Sequence, residues 1–500
     1  MMEEHFDLFR QGIIGLNKEI PSPDGETKRI VYADWTASGR NYEPIERRIT
    51  EELMPLVGNT HTETSATGMA MTHAYLTARQ IIKEHVNADS KDIIITAGSG
   101  MTSLVNKLQR ILNLRLPEKY FHLPPSNERP VVFVTHMEHH SNQTSWLETI
   151  AHVEIINATE DGLVDVVHLQ DLVDQYRDRE LKIASVTACS NVTGIQTPYH
   201  DIARIMHKAG GYCFVDFACS GPYVDIDMHP ADEEARLDAV FLSPHKFLGG
   251  PGSTGVMVFN SVLYDRKIPD NPGGGTVEWT NPWGVHKFID DIESREDGGT
   301  PAFLQTIKTA LCVRLKEEMG TDLIMEREHH LLSILWDKID ELPNLHILAR
   351  QHKERLPIVS FYIDDLHYNL AVRILNDKFG IQSRGGCSCA GTYGHYLLNV
   401  DQDKSNEIVG QIKLGDFSSK PGWVRVSLHP TMTDEEVHYI ADCIVELAAR
   451  HTVWSAEYSY DFACGGETTK DESVDYQLKS AVTNSLTSPL VKKPVEKVKV

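Results

Sequence analysis

Short apolar runs alternate with segments of helical spacing through the first half of the chain. The runs are hydrophobic almost throughout, not only at every second position, and they are rich in Val, Ile and Phe. Strands of this composition are typical of a parallel sheet that is covered by helices on both faces. Ligands bind such sheets at the carboxyl ends of the strands. The runs that follow this pattern are DIIIT (92–96), PVVFVTH (130–136), HVEIINAT (152–159), LKIASVTACS (181–190), GYCFVDFA (211–218), AVFLSPHKF (239–247) and GVMVFN (255–260).

The pattern changes beyond about residue 315. Residues 315–339 form a long stretch of helical spacing, and 370–380 form a shorter one. Residues 433–451 predict a further helix, with Thr433 as its N-cap and acidic residues in its first turn. Two strand-like runs lie between these helices, PIVSFYI (357–363) and WVRVSLH (423–429).

These patterns predict an α/β protein with two domains. A large domain with a mainly parallel sheet is expected over 30–315, after an N-terminal segment at 1–29. A smaller α+β domain is expected over 316–455. Residues 465–500 are rich in Ser, Thr, Lys and Pro and have no helical or strand period, so we expect a disordered tail over 456–500.

Composition and charge exclude several classes of function. The chain has 500 residues, of which 41% are hydrophobic and 24% charged, as in ordinary globular proteins. The net charge of −23 argues against a nucleic-acid or anionic-membrane surface. No run approaches the ~18 apolar residues of a membrane span, and the acidic start MMEEHFDLFRQGIIGL lacks a signal-peptide layout. We therefore expect a cytoplasmic protein, and its 8 cysteines are too sparse for a disulfide scaffold.

A lysine follows one of the predicted strands in a setting that suits imine chemistry. SPHK (243–246) precedes GGPGSTG, whose glycines let the backbone approach a ligand closely. A partly desolvated lysine has a lowered pKa and can form an imine. Ser243 and His245 could donate to a phosphate. Taken alone, Lys246 is more readily explained as a solvated loop residue, so this interpretation depends on its neighbours.

Asp216 provides such a neighbour at the end of another buried strand. It lies 30 residues before Lys246, and the interval holds one helix-sized segment and one strand. That spacing fits two neighbouring strand ends. A carboxylate there could keep the ring nitrogen of pyridoxal 5′-phosphate (PLP) protonated, so that the ring accepts electrons. The alternative is an aspartate that caps a turn.

Two further strand ends carry groups that suit a phosphorylated ring. ITAGSGMTSL (95–104) is a strand, a small-residue turn and a helix start, where free amides and Ser99 could bind an anion. In ACSNVTG (188–194), the Asn191 amide could contact the hydroxyl of the ring. Many α/β turns resemble the first segment, and Asn191 could equally stabilise the turn at Thr193–Gly194.

MEHHSN (137–142) and PGWVRVSLHP (421–430) supply two more candidate groups. A histidine of the first segment could stack on a flat heteroaromatic ring and handle protons near neutral pH. Adjacent histidines also occur in metal sites, but no Cys or His partner lies nearby at ligand spacing, so no metal is expected. Arg425 could bind a substrate carboxylate through two hydrogen bonds. The alternative for Arg425 is a surface salt bridge.

In this order, these residues resemble the class V aminotransferase-like family of fold type I PLP enzymes, and within it the cysteine desulfurases and selenocysteine lyases. The resemblance spans roughly residues 30–450. It implies a fold type I architecture, with a large PLP-binding domain and a smaller C-terminal domain. The matching segments are YADWTASG (32–39), MEHHSN, SNVTG, VDFA and SPHKFLGGPG.

The resemblance implies a role for each candidate residue. Lys246 would hold PLP as a Schiff base and later move protons at the substrate Cα. Asp216 would pair with the ring nitrogen, and His139 would stack on the ring. Asn191 would lie near the ring, and Arg425 would bind the α-carboxylate of the substrate. The phosphate would be held by Ser99, Gly100, Ser243 and His245 of the same chain. Thr276 of PGGGTV (272–277) would reach the phosphate of the neighbouring subunit, which implies a homodimer with shared active sites.

SRGGCSCAG (383–391) resembles the loop in which desulfurases carry a sulfur-accepting cysteine. By its position after Arg384, Cys389 matches that residue and Cys387 does not. A thiolate there could attack the activated sulfur of the substrate and form a persulfide. The alternative is that both cysteines only pack in a glycine-rich turn.

One residue departs from the family pattern. Three positions after Asp216 the family usually has a glutamine that faces the ring oxygen, and this chain has Cys219. The ring oxygen therefore lacks an expected hydrogen-bond donor. This departure bears on which reaction is predicted and not on the prediction of PLP as cofactor.

The first hypothesis is a PLP-dependent cysteine desulfurase that converts L-cysteine to L-alanine, stores the sulfur on Cys389 and passes it to an acceptor protein. A second hypothesis is another class V enzyme, such as a selenocysteine lyase, aminotransferase, epimerase or β-lyase acting on a different amino acid. A third is a non-catalytic PLP-fold scaffold or sulfur carrier that acts by binding a partner.

Overall fold

The computed structural model describes residues 2–461, 466–469 and 473–490. None of the helices in these ranges is both long and apolar enough to cross a membrane. The α-helices of these ranges are α1 (Met2–Arg10), α2 (Glu43–Arg47), α3 (Ala66–His85), α4 (Met101–Ile111), α5 (His140–Leu147), α6 (Val166–Gln175), α7 (Tyr199–Lys208), α8 (Ile292–Glu296), α9 (Phe303–Met319), α10 (Thr321–Ile339), α11 (Tyr368–Phe379), α12 (Gly391–Leu397), α13 (Gln402–Lys413), α14 (Asp434–Trp454) and α15 (Ser473–Thr487).

The strands of the described residues fall mainly into a large sheet and a smaller one. They are β1 (Glu19–Pro21), β2 (Thr27–Arg29), β3 (Val31–Tyr32), β4 (Asp92–Ala97), β5 (Val131–Thr135), β6 (His152–Ile156), β7 (Lys182–Thr187), β8 (Tyr212–Asp216), β9 (Ala239–Leu242), β10 (Gly255–Asn260), β11 (Val277–Thr280), β12 (His286–Phe288), β13 (Leu345–Ile347), β14 (Ile358–Ile363), β15 (Ile381–Gln382), β16 (Arg384–Gly386), β17 (Trp423–Ser427), β18 (Tyr458–Asp461) and β19 (Gly466–Thr469).

Every apolar run of the first half forms a strand of the large sheet. The strand order is β4-β10-β9-β8-β7-β5-β6, and the strands from β6 to β9 pair in parallel. Strand β10 is antiparallel to both β9 and β4, which the sequence pattern did not reveal. The residues between β9 and β10 form a turn around Lys246 instead of a helix that crosses the sheet, so the chain returns antiparallel. The predicted mainly parallel sheet is confirmed.

Both faces of the large sheet are buried, which explains why its strands are hydrophobic throughout. Successive residues of β5 point to opposite faces. Phe133 joins the apolar cluster that contains Ile82 of α3 and Leu169 of α6. Val134 joins the cluster that contains Leu104 of α4 on the other side. The sheet therefore forms the middle of three layers, and its strand ends are held rigidly.

The smaller sheet is antiparallel and has the order β13-β14-β17-β16. Helix α14 has the predicted N-cap. The Thr433 hydroxyl accepts from the Glu436 N–H at 3.1 Å, and the Glu436 carboxylate accepts from the Thr433 N–H at 3.4 Å. The stretch 315–339 is not one helix, because Gly320 adopts φ +80° and separates α9 from α10.

The N-terminal segment packs on elements of the second half of the chain. Phe6 of α1 is buried, and Arg10 forms an ion pair with Glu436 of α14 at 2.7 Å. Strand β3 pairs in parallel with β15. The domain boundaries at 29, 315 and 455 remain a prediction.

The disordered tail expected over 456–500 is not found in its described part. Strand β18 pairs antiparallel with β19, and α15 follows. Arg373 of α11 donates to both carboxylate oxygens of Asp475 at 2.9 and 3.0 Å, and Val474 is buried beside it. Most of α15 is exposed, so few apolar positions were available to show its period. The rest of the tail, 462–465, 470–472 and 491–500, lies outside the described residues.

Candidate active site

A cavity of about 580 Å³ opens where the strands of the large sheet end. Parallel neighbours end at the same edge, so the residues that follow these strands meet there. All candidate residues but one line this cavity: Ser99, Gly100, His139, Asn191, Asp216, Cys219, Ser243, His245, Lys246, Cys389 and Arg425. The exception is Thr276.

Lys246 and Asp216 face the same cavity, as their spacing predicted. Burial lowers the pKa of Lys246, while the nearby Cys219 and Asp216 counteract that effect. Its Nζ makes no hydrogen bond or ion pair with any described residue. Burial raises the pKa of Asp216 to about 6, although its Oδ1 accepts from the Ala218 N–H at 2.8 Å. The site thus pairs an amine that loses its proton easily with a buried carboxyl group.

The start of α4 lies at the wall of the cavity, beside Ser243 and His245. The Met101 N–H donates to the Ser243 hydroxyl at 3.0 Å. His245 Nδ1 lies 2.9 Å from the Ser99 carbonyl, and because a carbonyl only accepts, Nδ1 carries the proton. A Cβ added to Gly100 would lie 3.0 Å from the Ser243 hydroxyl, so only glycine leaves this approach open. Free amides at a helix start beside these side chains suit a phosphate.

His139 is the N-cap of α5, and its ring is neutral. Its Nδ1 accepts from the Ser141 N–H at 3.2 Å, so the proton of the neutral ring is on Nε2. Burial lowers the pKa of His139 to about 4, and the charges of Lys246 and Arg425 contribute. A flat, uncharged ring at this position can stack on a heteroaromatic cofactor.

Glu138, inside the segment MEHHSN, is a fully buried residue that the sequence pattern did not single out. Its carboxyl group accepts from Thr135 Oγ1 at 2.7 Å, Asn142 Nδ2 at 2.7 Å and the Thr187 N–H at 2.8 Å. Burial raises the pKa of Glu138 to about 7. As a hub, Glu138 joins the ends of β5 and β7 to α5 and so fixes the position of His139. An acid inside MEHHSN was the available signal, but its partners were not visible in the sequence.

Asp34, which the sequence pattern did not single out either, binds both arginines at the cavity. Arg425 Nη2 donates to Asp34 Oδ1 at 2.7 Å, and Arg384 Nε donates to Asp34 Oδ2 at 3.0 Å. Arg425 Nη1 donates to the Asn191 carbonyl at 3.0 Å. Arg425 is only 3% exposed, so its ion pair is buried and not on the surface. Arg384 is about half exposed and has donors left for a ligand.

Cys389 faces the cavity from a tight turn. The Ala390 N–H donates to the Cys387 carbonyl at 2.9 Å and closes this turn, in which Ser388 and Cys389 have φ +50° and +57°. Cys389 is exposed, whereas Cys387 packs against the apolar cluster that contains Phe133. Asn191 Nδ2 donates to the Ser388 carbonyl at 2.8 Å, so this amide contacts the turn, and its contact with a ring remains a prediction.

Cys219 lines the cavity together with Cys189, which sequence analysis did not select. A hydrogen bond from the Cys189 thiol lowers the pKa of Cys219, and the charges of Lys246 and Arg425 add to this effect against burial. Burial and the same hydrogen bond raise the pKa of Cys189. A thiol that titrates easily therefore stands near the predicted Schiff-base lysine.

Thr276 is fully buried away from the cavity of its own chain. Its hydroxyl donates to the Gly273 carbonyl at 2.7 Å. To reach the phosphate site of a neighbouring subunit, the turn at 273–276 would have to open. The shared active site remains a prediction.

The chain is similar to known proteins over most of its length. The family model described as aminotransferase class-V matches residues 31–440. A protein of Halalkalibacterium halodurans named "Probable cysteine desulfurase" is 26% identical over 366 residues, which cover 72% of this chain and 84% of that protein. A cysteine desulfurase of Haloferax volcanii is 25% identical over 376 residues, which cover 73% and 82% of the two chains.

Solved structures show the same fold. The apo structure of a cysteine desulfurase from Thermococcus onnurineus has a TM-score of 0.69 at 22% identity, covering 89% of this chain and 98% of that one. The cysteine desulfurase CsdA from Escherichia coli has a TM-score of 0.68 at 21% identity, covering 88% and 98%. These likenesses confirm the predicted fold class.

Proposed function

This chain belongs to the aminotransferase class-V family, and on that premise we propose that it is a PLP-dependent cysteine desulfurase. It converts L-cysteine to L-alanine and leaves the sulfur as a persulfide on Cys389. The observation that carries this proposal is the meeting of Lys246, Asp216 and the start of α4 in one cavity. Relatives named as cysteine desulfurases, matched over most of both chains, support the choice of reaction.

The residues of the cavity fit PLP. The volume of about 580 Å³ lies within the range of small-ligand pockets, roughly 300–1,000 Å³. The start of α4 with Ser243 and His245 would hold the phosphate, Asp216 the ring nitrogen, and His139 one face of the ring. When bound, PLP supplies an electron-accepting ring conjugated to the amino group of the substrate.

The chain's own groups bind the substrate and move protons. Lys246 has a lowered pKa, so its amine can attack a carbonyl and can later exchange a proton at the substrate Cα. Arg384 and Arg425 present guanidinium groups to the α-carboxylate, and Asp34 fixes how they are aimed. The neutral His139 would cover the ring and can donate a hydrogen bond from its Nε2–H.

Sulfur leaves the substrate by transfer to Cys389. The thiolate of Cys389 attacks the substrate sulfur, the Cβ–S bond breaks, and the electron pair of that bond takes up a proton, so that alanine results. The sulfur stays on the enzyme as a persulfide, which a thiol of an acceptor protein can take over. Cys389 suits this role because it is exposed at the wall of the cavity.

The proposal includes a cytoplasmic homodimer in which Thr276 completes the neighbour's phosphate site. The experiment that tests the reaction is product analysis of the PLP-loaded protein with L-cysteine and with L-selenocysteine. We expect alanine and sulfide from cysteine in the presence of a thiol reductant. The Lys246→Ala variant should lose both the cofactor absorbance and the reaction. Release of neither product from cysteine by the loaded protein contradicts the proposal.

Cys219 favours a second candidate, another class V reaction on a different amino acid. It replaces the amide that the family uses at the ring oxygen by a thiol of lowered pKa. A panel of amino acids, followed by the change in cofactor absorbance and by product analysis, separates the two candidates. A faster reaction with an amino acid that has no sulfur or selenium supports the second.

A further inference from the structure

The turn that carries Cys389 is in a conformation that needs outside support. Ser388 and Cys389 are consecutive non-glycine residues in the left-handed region. Such residues persist only where the surrounding structure holds them. The turn's own hydrogen bond, from the Ala390 N–H to the Cys387 carbonyl, closes it but does not orient it relative to the cavity.

His140, the first residue of α5, makes two hydrogen bonds to this turn. Its backbone N–H donates to the Cys389 carbonyl at 2.8 Å. Its ring Nε2 accepts from the Gly391 N–H at 2.8 Å. Because a backbone N–H only donates, Nε2 carries no proton and the neutral ring is protonated on Nδ1. One residue therefore holds the chain on both sides of the Cys389 side chain, through its backbone N–H and its ring.

The ring of His140 supplies a hydrogen-bond acceptor at the start of α12. Helix α12 begins at Gly391, and the first amides of a helix have no partner within it. Ala390, at the N-cap, offers no side-chain acceptor. A Cβ on Gly391 would lie 3.0 Å from Nε2, so glycine permits this close approach. The hydrogen bond from the Gly391 N–H to Nε2 therefore satisfies a free amide of α12 and fixes the turn before this helix.

The start of α5, which carries His140, also carries His139 as its N-cap, and the ring of His139 lines the cavity. A second contact, from the Thr392 hydroxyl to Gln143 Oε1 at 2.7 Å, ties α12 to the next turn of α5. We propose that His140 is a positioning residue for sulfur transfer, which fixes the thiol of Cys389 relative to the ring of His139. This inference rests on the proposed role of Cys389 as sulfur acceptor.

The test compares His140→Ala, which removes the ring acceptor and keeps the backbone N–H, with His140→Gln, whose Oε1 can still accept. Thr144→Ala is the matched control, because Thr144 is exposed on the same helix and its hydroxyl donates only to the His140 carbonyl. Three quantities are measured on the PLP-loaded protein: sulfide release, the change in cofactor absorbance on adding L-cysteine, and the rate at which iodoacetamide alkylates Cys389, found by peptide mass spectrometry.

We expect His140→Ala to lower sulfide release by about tenfold or more and to keep the absorbance change. The alkylation rate of Cys389 should shift by about threefold or more, with Cys387 as the internal reference. His140→Gln should recover most of the turnover, and Thr144→Ala should stay within about twofold of the unmodified protein. If His140 only stabilised the fold, its removal would not lower sulfide release while the absorbance change on adding L-cysteine stayed the same.

Three results overturn the proposal: unchanged turnover and alkylation in His140→Ala, loss of the absorbance change together with turnover, or no recovery in His140→Gln. If His140→Ala does not fold, Gly391→Ala provides the second variant, because its Cβ pushes against Nε2 from the other side. A folded Gly391→Ala protein with normal turnover and alkylation also overturns it. If the unmodified protein releases neither alanine nor sulfide, the proposed function fails, and the alkylation rates still decide whether His140 holds the turn.

Discussion

Arg425 donates from Nη2 to Asp34 Oδ1 at 2.7 Å, across 391 residues of sequence. The arginine that the sequence predicts to bind the substrate carboxylate therefore already holds a carboxylate of its own chain. The same aspartate binds the more exposed Arg384 through its other oxygen. Asp34 thus orients both guanidinium groups, and in the proposed function the substrate carboxylate would meet a prearranged pair.

Asp34→Asn tests this arrangement, because it removes the charge and keeps the shape. We expect the KM for L-cysteine to rise about tenfold, or ~1.4 kcal/mol in binding, with a much smaller change in kcat. The free energy of unfolding should also fall by about 3 kcal/mol, since Arg425 is left as a buried unpaired charge. Steady-state kinetics and denaturant unfolding measure the two effects. An unchanged KM would show that Asp34 does not orient the arginines.

Asp216 should make the stability of the cofactor-free protein depend on pH. Its pKa is raised from 3.8 to about 6 in the folded chain, so the folded state holds the proton more tightly than the unfolded state does. The free energy of unfolding should therefore fall as pH rises from about 4 to 7, by up to about 3 kcal/mol for this group. Asp216→Asn removes this contribution. Chemical unfolding of both proteins across that range measures the difference, and parallel pH curves would contradict the prediction.

Glu138→Gln should destabilise the end of the sheet under His139. An amide nitrogen would replace the oxygen that accepts from Asn142 Nδ2, so that two donors would face each other. We expect a loss of about 2–3 kcal/mol in the free energy of unfolding. Weaker PLP binding should accompany it, because His139 depends on this hub. A variant as stable as the unmodified protein would mean that the hub rearranges freely.

Gly100→Ala should weaken phosphate binding without affecting the fold. The backbone of Gly100 is extended, so alanine is not strained there, but its Cβ would stand 3.0 Å from the Ser243 hydroxyl. We expect the Kd for PLP to rise about tenfold, or ~1.4 kcal/mol. Gly410→Ala is the matched control, since a Cβ there meets nothing within 4 Å. Titration of the apoprotein with PLP gives both constants, and equal constants would remove Gly100 from the phosphate site.

Cys389→Ser should stop sulfur transfer and leave cofactor chemistry intact. We expect sulfide release to fall by about 100-fold while L-cysteine still changes the cofactor absorbance. Cys387→Ser is the control, because that side chain packs against the core and does not line the cavity. It should keep turnover within about threefold. If Cys387→Ser is the more damaging change, the acceptor has been assigned to the wrong thiol.

The sequence by itself determined the seven strands of the large sheet, the strand-end residues Lys246 and Asp216, and the capping of α14 by Thr433. Each of these depends on local physics, because hydrophobic period, β-branched composition and cap chemistry act over a few residues. Parallel strands end at one edge of a sheet, so correct strands were enough to bring the candidate residues together.

Only the tertiary structure decided the partners of those residues. Asp34 lies 391 residues from Arg425, and His140 lies 251 residues from Gly391, so no local pattern connects them. Three further features likewise depend on how helices and strands pack against each other. They are the antiparallel direction of β10, the hydrogen bond of the Thr276 hydroxyl and the contact of Arg373 with α15. The hydrophobic period of a segment shows which face a side chain occupies. Its hydrogen-bond partner is the distant group that the fold brings within about 3 Å of it.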